Sequence, residues 1–190
     1  MHVLAVNGSP RLNGNTRKAL EIVLDELRKE GISGEVINIC EKEVHGCKAC
    51  GACGRNKDKR CVRTEDDLNL YVEKMCAADG IILGSPTYFG NMTAQMKAFI
   101  DRAGFVGRAN GDLYKRKVGA AVAINRRAGA LATFNAMNDF FLIGQMIVVG
   151  STYWNIGVGL KPGEVLDDAE GVKTMKDLGQ NMAWLLKKVA

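Results

Sequence analysis

The sequence predicts an α/β protein built on a doubly wound parallel sheet of five strands. Three observations carry this. Its strands read as continuous apolar runs rather than alternating ones, as strands buried on both faces do. An amphipathic helical pattern separates most of them. Most strand ends open into a polar turn that contains glycine.

Val3–Val6 is the first strand, ending at Asn7-Gly-Ser-Pro. A helix follows from about Thr16 to Glu30, with Leu20, Val23, Leu24 and Leu27 at i, i+3, i+4, i+7 and Gly31 as a stop. Glu35–Ile39 is the second strand. A cysteine-rich loop at about 44–65 comes next, and Asp66-Asp67 is expected to cap a helix through Met75. Gly80–Leu83 is the third strand and Thr93–Ala103 the helix after it. Val118–Ile124 is the fourth strand and Ala130–Leu142 its helix. Met146–Val149 is the fifth strand, and a helix from Gly171 to Val189 closes the chain. This count fits one flavodoxin-like domain over residues 1–190 with strand order 2-1-3-4-5. Such a sheet binds ligands at the carboxyl ends of its strands.

Composition narrows the function. Apolar residues make up 47% and charged residues 25%, as in ordinary globular proteins. The net charge of +5 suits a phosphate-bearing ligand. Its positive residues are scattered and form no aromatic-studded stripe, so no nucleic-acid partner is expected. MHVLAVNGSPRLNG reads as a strand, not a signal peptide, and no run approaches the length of a membrane span. Six cysteines in that setting point to a reducing cytoplasm, where clustered thiols hold metal or do redox chemistry.

The turns at the strand ends supply the chemistry. Asn7–Thr16 opens directly into a helix. Gly8 and Gly14 permit tight turns, Ser9, Asn13, Asn15 and Thr16 offer donors, and Arg11 adds charge beside the helix dipole. This suits a phosphate dianion, although neither the Walker nor the dinucleotide glycine pattern is present. After strand three, Gly84–Asn91 brings Tyr88 and Phe89 to the same edge, where they could flank a flat heteroaromatic ring. After strand four, Asn125-Arg-Arg-Ala-Gly129 adds a cationic rim. Each loop alone is an ordinary polar turn or core lid. Together on one edge they favour a flavin mononucleotide (FMN) site.

GSPRLNGNT, DGIILGSPTYFGNMTAQMKAFIDR (Asp79–Arg102) and NRRAGA (Asn125–Ala130) resemble the NADPH-dependent FMN reductase superfamily, and its iron–sulfur flavoprotein branch most. The resemblance runs from the first strand to about residue 150. It implies a flavodoxin-like fold, bound FMN and a homodimer or homotetramer. By position, Ser9, Arg11, Asn13, Asn15 and Thr16 would take the phosphate. Pro86, Thr87, Tyr88, Phe89, Gly90 and Asn91 would line the ribityl chain and ring, and Asn125, Arg126, Arg127 and Gly129 would close the polar edge.

GCKACGACGRNKDKRC holds four cysteines, Cys47, Cys50, Cys53 and Cys61, as C-x2-C-x2-C-x7-C. The first three repeat the tight run of a bacterial ferredoxin loop with small fillers, which favours a [4Fe–4S] cluster. The pattern also resembles the iron–sulfur flavoprotein motif. Zinc, a Cys47/Cys50 redox couple and bare thiols stay open. His45, beside the loop, is expected to face solvent, and Cys40 and Cys76 to act as small hydrophobes. Met92 and Met96 read as core or interface.

No hydrolytic constellation is present, so the flavin is expected to carry the chemistry. The expected reaction moves electrons from NAD(P)H or ferredoxin to a quinone, flavin, oxygen species or protein acceptor. A non-enzymatic carrier and a thiol redox sensor are the alternatives.

Overall fold

β1 (His2–Asn7) lies inside the sheet, apolar and solvent-free from Val3 to Val6. The computed structural model describes residues 1–189. β1 pairs in parallel with β2 (Ser33–Asn38) on one side and β3 (Gly80–Pro86) on the other. β4 (Val118–Asn125) lies beyond β3, and β5 (Ile147–Val148) beyond β4, so the order is β2-β1-β3-β4-β5. The predicted order is therefore observed.

The outer edge differs from expectation. The fifth strand pairs over two residues only, and a separate strand, β6 (Ile156–Val158), continues the same edge by pairing with Ala123–Asn125. Between them, Ser151–Asn155 leaves the sheet, pinned by the Asn155 amide donating to the Ala121 carbonyl (3.0 Å). A strand of three residues interrupted by Gly157 gives too short an apolar run to be legible.

α1 (Asn15–Lys29) and α6 (Ala169–Val189) cover one face, burying Leu20, Val23, Leu24, Leu178 and Met182 against Val3, Ala5 and Ile82. α3 (Leu68–Ala77), α4 (Ala94–Ala109) and α5 (Ala130–Ile143) cover the other, with Phe99, Met137 and Phe141 against Leu4, Ile81 and Leu83. Met92 and Met96 belong to this core, as expected. α4 starts where Thr93, as N-cap, accepts the Met96 N–H (3.1 Å).

The cysteine loop also holds an unforeseen element. α2 (Ala52–Asn56) is a five-residue helix entered through Gly51 in the left-handed region (φ 67°). Five residues with no apolar repeat give a sequence reader no signal. No described helix is long and apolar enough to cross a membrane.

Candidate functional site

The carboxyl edge brings three loops together. Asn7, fully buried, donates to Asn38 Oδ1 (2.8 Å), and its Oδ1 accepts the Ser9 N–H (3.1 Å), bending the chain out of β1. Ser9 Oγ in turn accepts the Arg11 N–H (3.2 Å). The Asn15, Thr16 and Arg17 N–H groups then open α1 with no helical acceptor, and no acidic residue occupies its first turn. The positive end of the dipole is left for an anion.

The second loop is tied to the first. Gly8 N–H donates to the Gly84 carbonyl (2.8 Å), Thr93 Oγ1 donates to the Gly8 carbonyl (2.8 Å), and Thr93 N–H donates to Ser85 Oγ (3.1 Å). Gly8 suits this approach, because a Cβ there would stand 3.0 Å from Met96 Cβ and 3.2 Å from the Gly84 carbonyl oxygen. Tyr88 and Asn91 exchange backbone hydrogen bonds (2.8 and 3.1 Å) around Phe89 (φ 50°) and Gly90 (φ 77°). Two consecutive positive φ values make this a tight turn of the kind that favours Asn and Gly, yet it carries phenylalanine. Phe89 is wholly exposed, and Tyr88 half so.

The third loop locks onto the second. Thr87 N–H donates to the Ile124 carbonyl (2.7 Å). Gly129 (φ 87°) sits so close that a Cβ would meet the Thr87 methyl at 3.3 Å and Gly90 Cα at 3.4 Å. Asn125 is buried, and its amide bridges the Gly157 carbonyl (3.2 Å) and the Ala128 N–H (3.1 Å). Thr87 Oγ1 is buried without a hydrogen-bond partner, which a ligand hydroxyl or carbonyl would satisfy. Free N–H groups on α1, an orphaned hydroxyl and an exposed aromatic turn fit FMN.

Four expected residues are placed differently from the rest. Asn15 is buried and committed to the chain after β6. It donates to the Lys161 carbonyl (2.9 Å), and its Oδ1 accepts from Gly163 N–H (2.7 Å) and Val165 N–H (3.4 Å). Arg11 Nη1 donates to the Leu160 carbonyl (3.0 Å). Asn13 lies on the outer side of α1 with Arg17 and Glu21. Arg126 lines an open cleft with Glu164, Asp167 and Asp168. Ser9, Thr16, Pro86–Asn91, Asn125 and Gly129 gather at the edge itself.

All four cysteines of the loop line one cavity of about 290 Å³, walled by Val62, Phe105 and Val106 with Arg63 and Arg102 beside them. Among the described residues, no three His, Cys, Asp or Glu side chains converge as a single-ion site would require. The loop is held at both ends. Arg55 donates to the Cys50 carbonyl (2.8 Å) and Arg63 to the Gly46 carbonyl (3.0 Å). Asn69 grips Cys61 from two sides, accepting its N–H (2.7 Å) and donating to its carbonyl (2.9 Å).

Of the expected capping pair, Asp67 makes no side-chain cap bond, and Asp66 accepts the Leu68 N–H (3.3 Å) at the start of α3. It also forms an ion pair with Arg102 in which both side chains are 1% exposed. Burial would raise its carboxyl, but bonds from Arg102, the His45 N–H and the Leu68 N–H outweigh this and hold it below the usual carboxylate range. Arg102 and Asn69 escaped the sequence reading. Their available signal was polarity on a buried helical face: Arg102 follows Phe99 at i+3, and Asn69 precedes Val72 by three. His45 is part-exposed, its ring near Glu43 and not among the cavity walls. Cys40 and Cys76 are half-buried against the core, and burial pushes the Cys40 thiol up to about 11.

A parallel sheet in this order, with an anion-ready helix start and an aromatic turn at its carboxyl edge, defines a flavodoxin-like flavin-binding protein. The chain belongs to the NADPH-dependent FMN reductase family, whose model matches residues 1–161. It is 38% identical to an iron-sulfur flavoprotein of Methanocaldococcus jannaschii, covering 100% of this chain and 99% of that one. It is 37% identical to the iron-sulfur flavoprotein of Methanosarcina thermophila, covering 100% and 97%. Its fold matches that of a WrbA-like flavodoxin of Agrobacterium tumefaciens at TM-score 0.67 and 16% identity, over 100% of this chain and 98% of that one.

Proposed function

We propose that this FMN-binding protein is an oxidoreductase that takes electrons from NAD(P)H or ferredoxin and delivers them to a small acceptor such as a quinone, flavin or oxygen species. We further propose a [4Fe–4S] cluster held by Cys47, Cys50, Cys53 and Cys61. The observation that supports the cluster is that four sulfurs spaced C-x2-C-x2-C-x7-C line one largely apolar cavity. A cubane needs thiolates spread around its corners, whereas one zinc ion needs them converged on a point.

FMN, when bound, supplies two-electron exchange with a nicotinamide and one-electron exchange with an iron–sulfur centre. The chain's own residues bind and orient it. Ser9, Thr16 and the first N–H groups of α1 would hold the phosphate, with Arg11 and Asn15 fixing the neighbouring 160–165 segment beside it. Thr87 and Asn91 would bond the polar parts of the ligand, and Tyr88 and Phe89 would flank its ring. Arg127 is exposed and would favour an anionic reduced ring.

An apolar groove between α4 and α5, lined by Phe105, Phe140 and Ile143, supports a homodimer or homotetramer. Six unpaired cysteines suit a reducing cytoplasm.

Anaerobic purification tests the reading. Flavin absorbance, with iron and acid-labile sulfide in equal amounts, is the expected result, together with NAD(P)H oxidation when a quinone is supplied. Flavin without iron would remove the cluster. Flavin and iron without turnover on either nicotinamide would leave a ferredoxin-fed carrier.

A further inference from the structure

Resting on the cluster reading, we infer that Arg102 is a positioning residue that fixes Cys61 as the fourth ligand and sets the reduction potential of the centre by donating a hydrogen bond to its sulfur. Arg102 is 1% exposed and projects from α4 to the base of the cysteine loop. Its Nη2 donates to Cys61 Sγ (3.4 Å) and to the Arg63 carbonyl (3.4 Å). Its Nη1 is bonded to Asp66 and donates to the His45 carbonyl (3.2 Å). One guanidinium therefore holds the chain just before Cys47 and again at and just after Cys61, the two ends of the excursion that carries all four sulfurs.

Cys61 is the ligand that spacing alone leaves loosest, seven residues beyond Cys53. In the fold it is the best fixed. Asn69 holds its backbone on both sides, and Arg102 holds its sulfur. By contrast, Cys47 and Cys50 are exposed. The planar fork suits this task because it reaches a carboxylate and a sulfur at once, which a lysine ammonium cannot do in the same geometry. Asp66 keeps the pair neutral, so the arginine can be buried without unbalanced charge. Hydrogen bonds to ligand sulfur stabilise the reduced, more negative state of a cluster and raise its potential.

The test uses anaerobically purified holoprotein. Arg102→Lys keeps a charge opposite Asp66 and withdraws the second arm. The expected variant retains flavin and most of its iron, while its reduced-to-oxidised ratio at fixed potential falls about ten-fold, equal to about 59 mV for one electron. Where Arg102→Lys fails to fold, Arg102→Met combined with Asp66→Leu removes the pair without stranding a carboxylate. It should show the same shift. An unmoved potential with the cluster intact would overturn the inference. So would parallel loss of iron, flavin and melting temperature with the potential of the remaining cluster unchanged, which marks a merely structural arginine. Wild-type protein with flavin and no iron would overturn the cluster reading and this inference together, and that result precedes any variant.

Discussion

Thr93 Oγ1 donates to the Gly8 carbonyl at 2.8 Å, joining the start of α4 to the loop after β1 across 85 residues of sequence. The same oxygen accepts the Met96 N–H that begins α4. One buried hydroxyl thus couples a helix cap to the relative position of the phosphate and aromatic loops. Thr93→Val keeps the shape and removes both bonds. Loss of the cap costs about 1 kcal/mol and the stranded carbonyl about 1–3 kcal/mol. Urea unfolding should show about 2–4 kcal/mol of destabilisation, and FMN titration a weaker complex. Weakened FMN binding with unchanged stability would mean that the hydroxyl serves the ligand alone.

Asp66 makes stability depend on acid. Its carboxyl titrates below the ordinary value in the folded protein, so its contribution is complete above the unfolded pKa, about 3.9. That contribution drains away as pH falls from there through the depressed folded value. Asp66→Asn should lower stability at pH 7 by about 3–5 kcal/mol, because it strands Arg102. It should also flatten the acid limb of stability against pH. Equal acid slopes for wild type and variant in urea midpoints would contradict this.

Phe89 occupies a left-handed position with its ring wholly in solvent. Such backbone costs on the order of 1–3 kcal/mol and marks a residue kept for a ligand or partner. Phe89→Gly should stabilise the apoprotein by roughly 0.5–1 kcal/mol, after glycine's greater unfolded entropy is subtracted. It should also weaken FMN binding. A more stable variant with unchanged FMN affinity would assign the ring to another surface.

Ser9 and Asn15 separate two roles that share one loop. Asn15→Ala removes three hydrogen bonds to the 161–165 segment and should cost about 2–3 kcal/mol of apoprotein stability. Ser9→Ala should act mainly on the holoprotein, weakening FMN by about 1.5–3 kcal/mol through a lost hydrogen bond to the charged phosphate. FMN affinity left intact by the Ser9 change would place the phosphate elsewhere.

The four-cysteine cavity predicts an all-or-none dependence on Cys61. Cys61→Ala should abolish iron and sulfide while leaving flavin absorbance in place, since the cavity walls and the carboxyl-edge loops share none of these residues. Full iron retention would show that the first three cysteines recruit their fourth ligand elsewhere.

What the sequence by itself determined was the fold class, the strand order and the three edge loops. Those depend on local signals: apolar runs, helical periods and glycine-bearing turns within a few residues of each other. It also marked the four cysteines, because their spacing is local. The tertiary structure decided which neighbours those residues have. Asn15 looked free for phosphate and instead anchors Gly163. Asp66 looked like a cap alone and also meets Arg102, 36 residues away. β6 exists only because β4 offers its edge beyond the two-residue pairing of β5. The difference is physical. A buried polar group must find a partner wherever the packed chain supplies one, and that partner's sequence distance carries no periodicity to read.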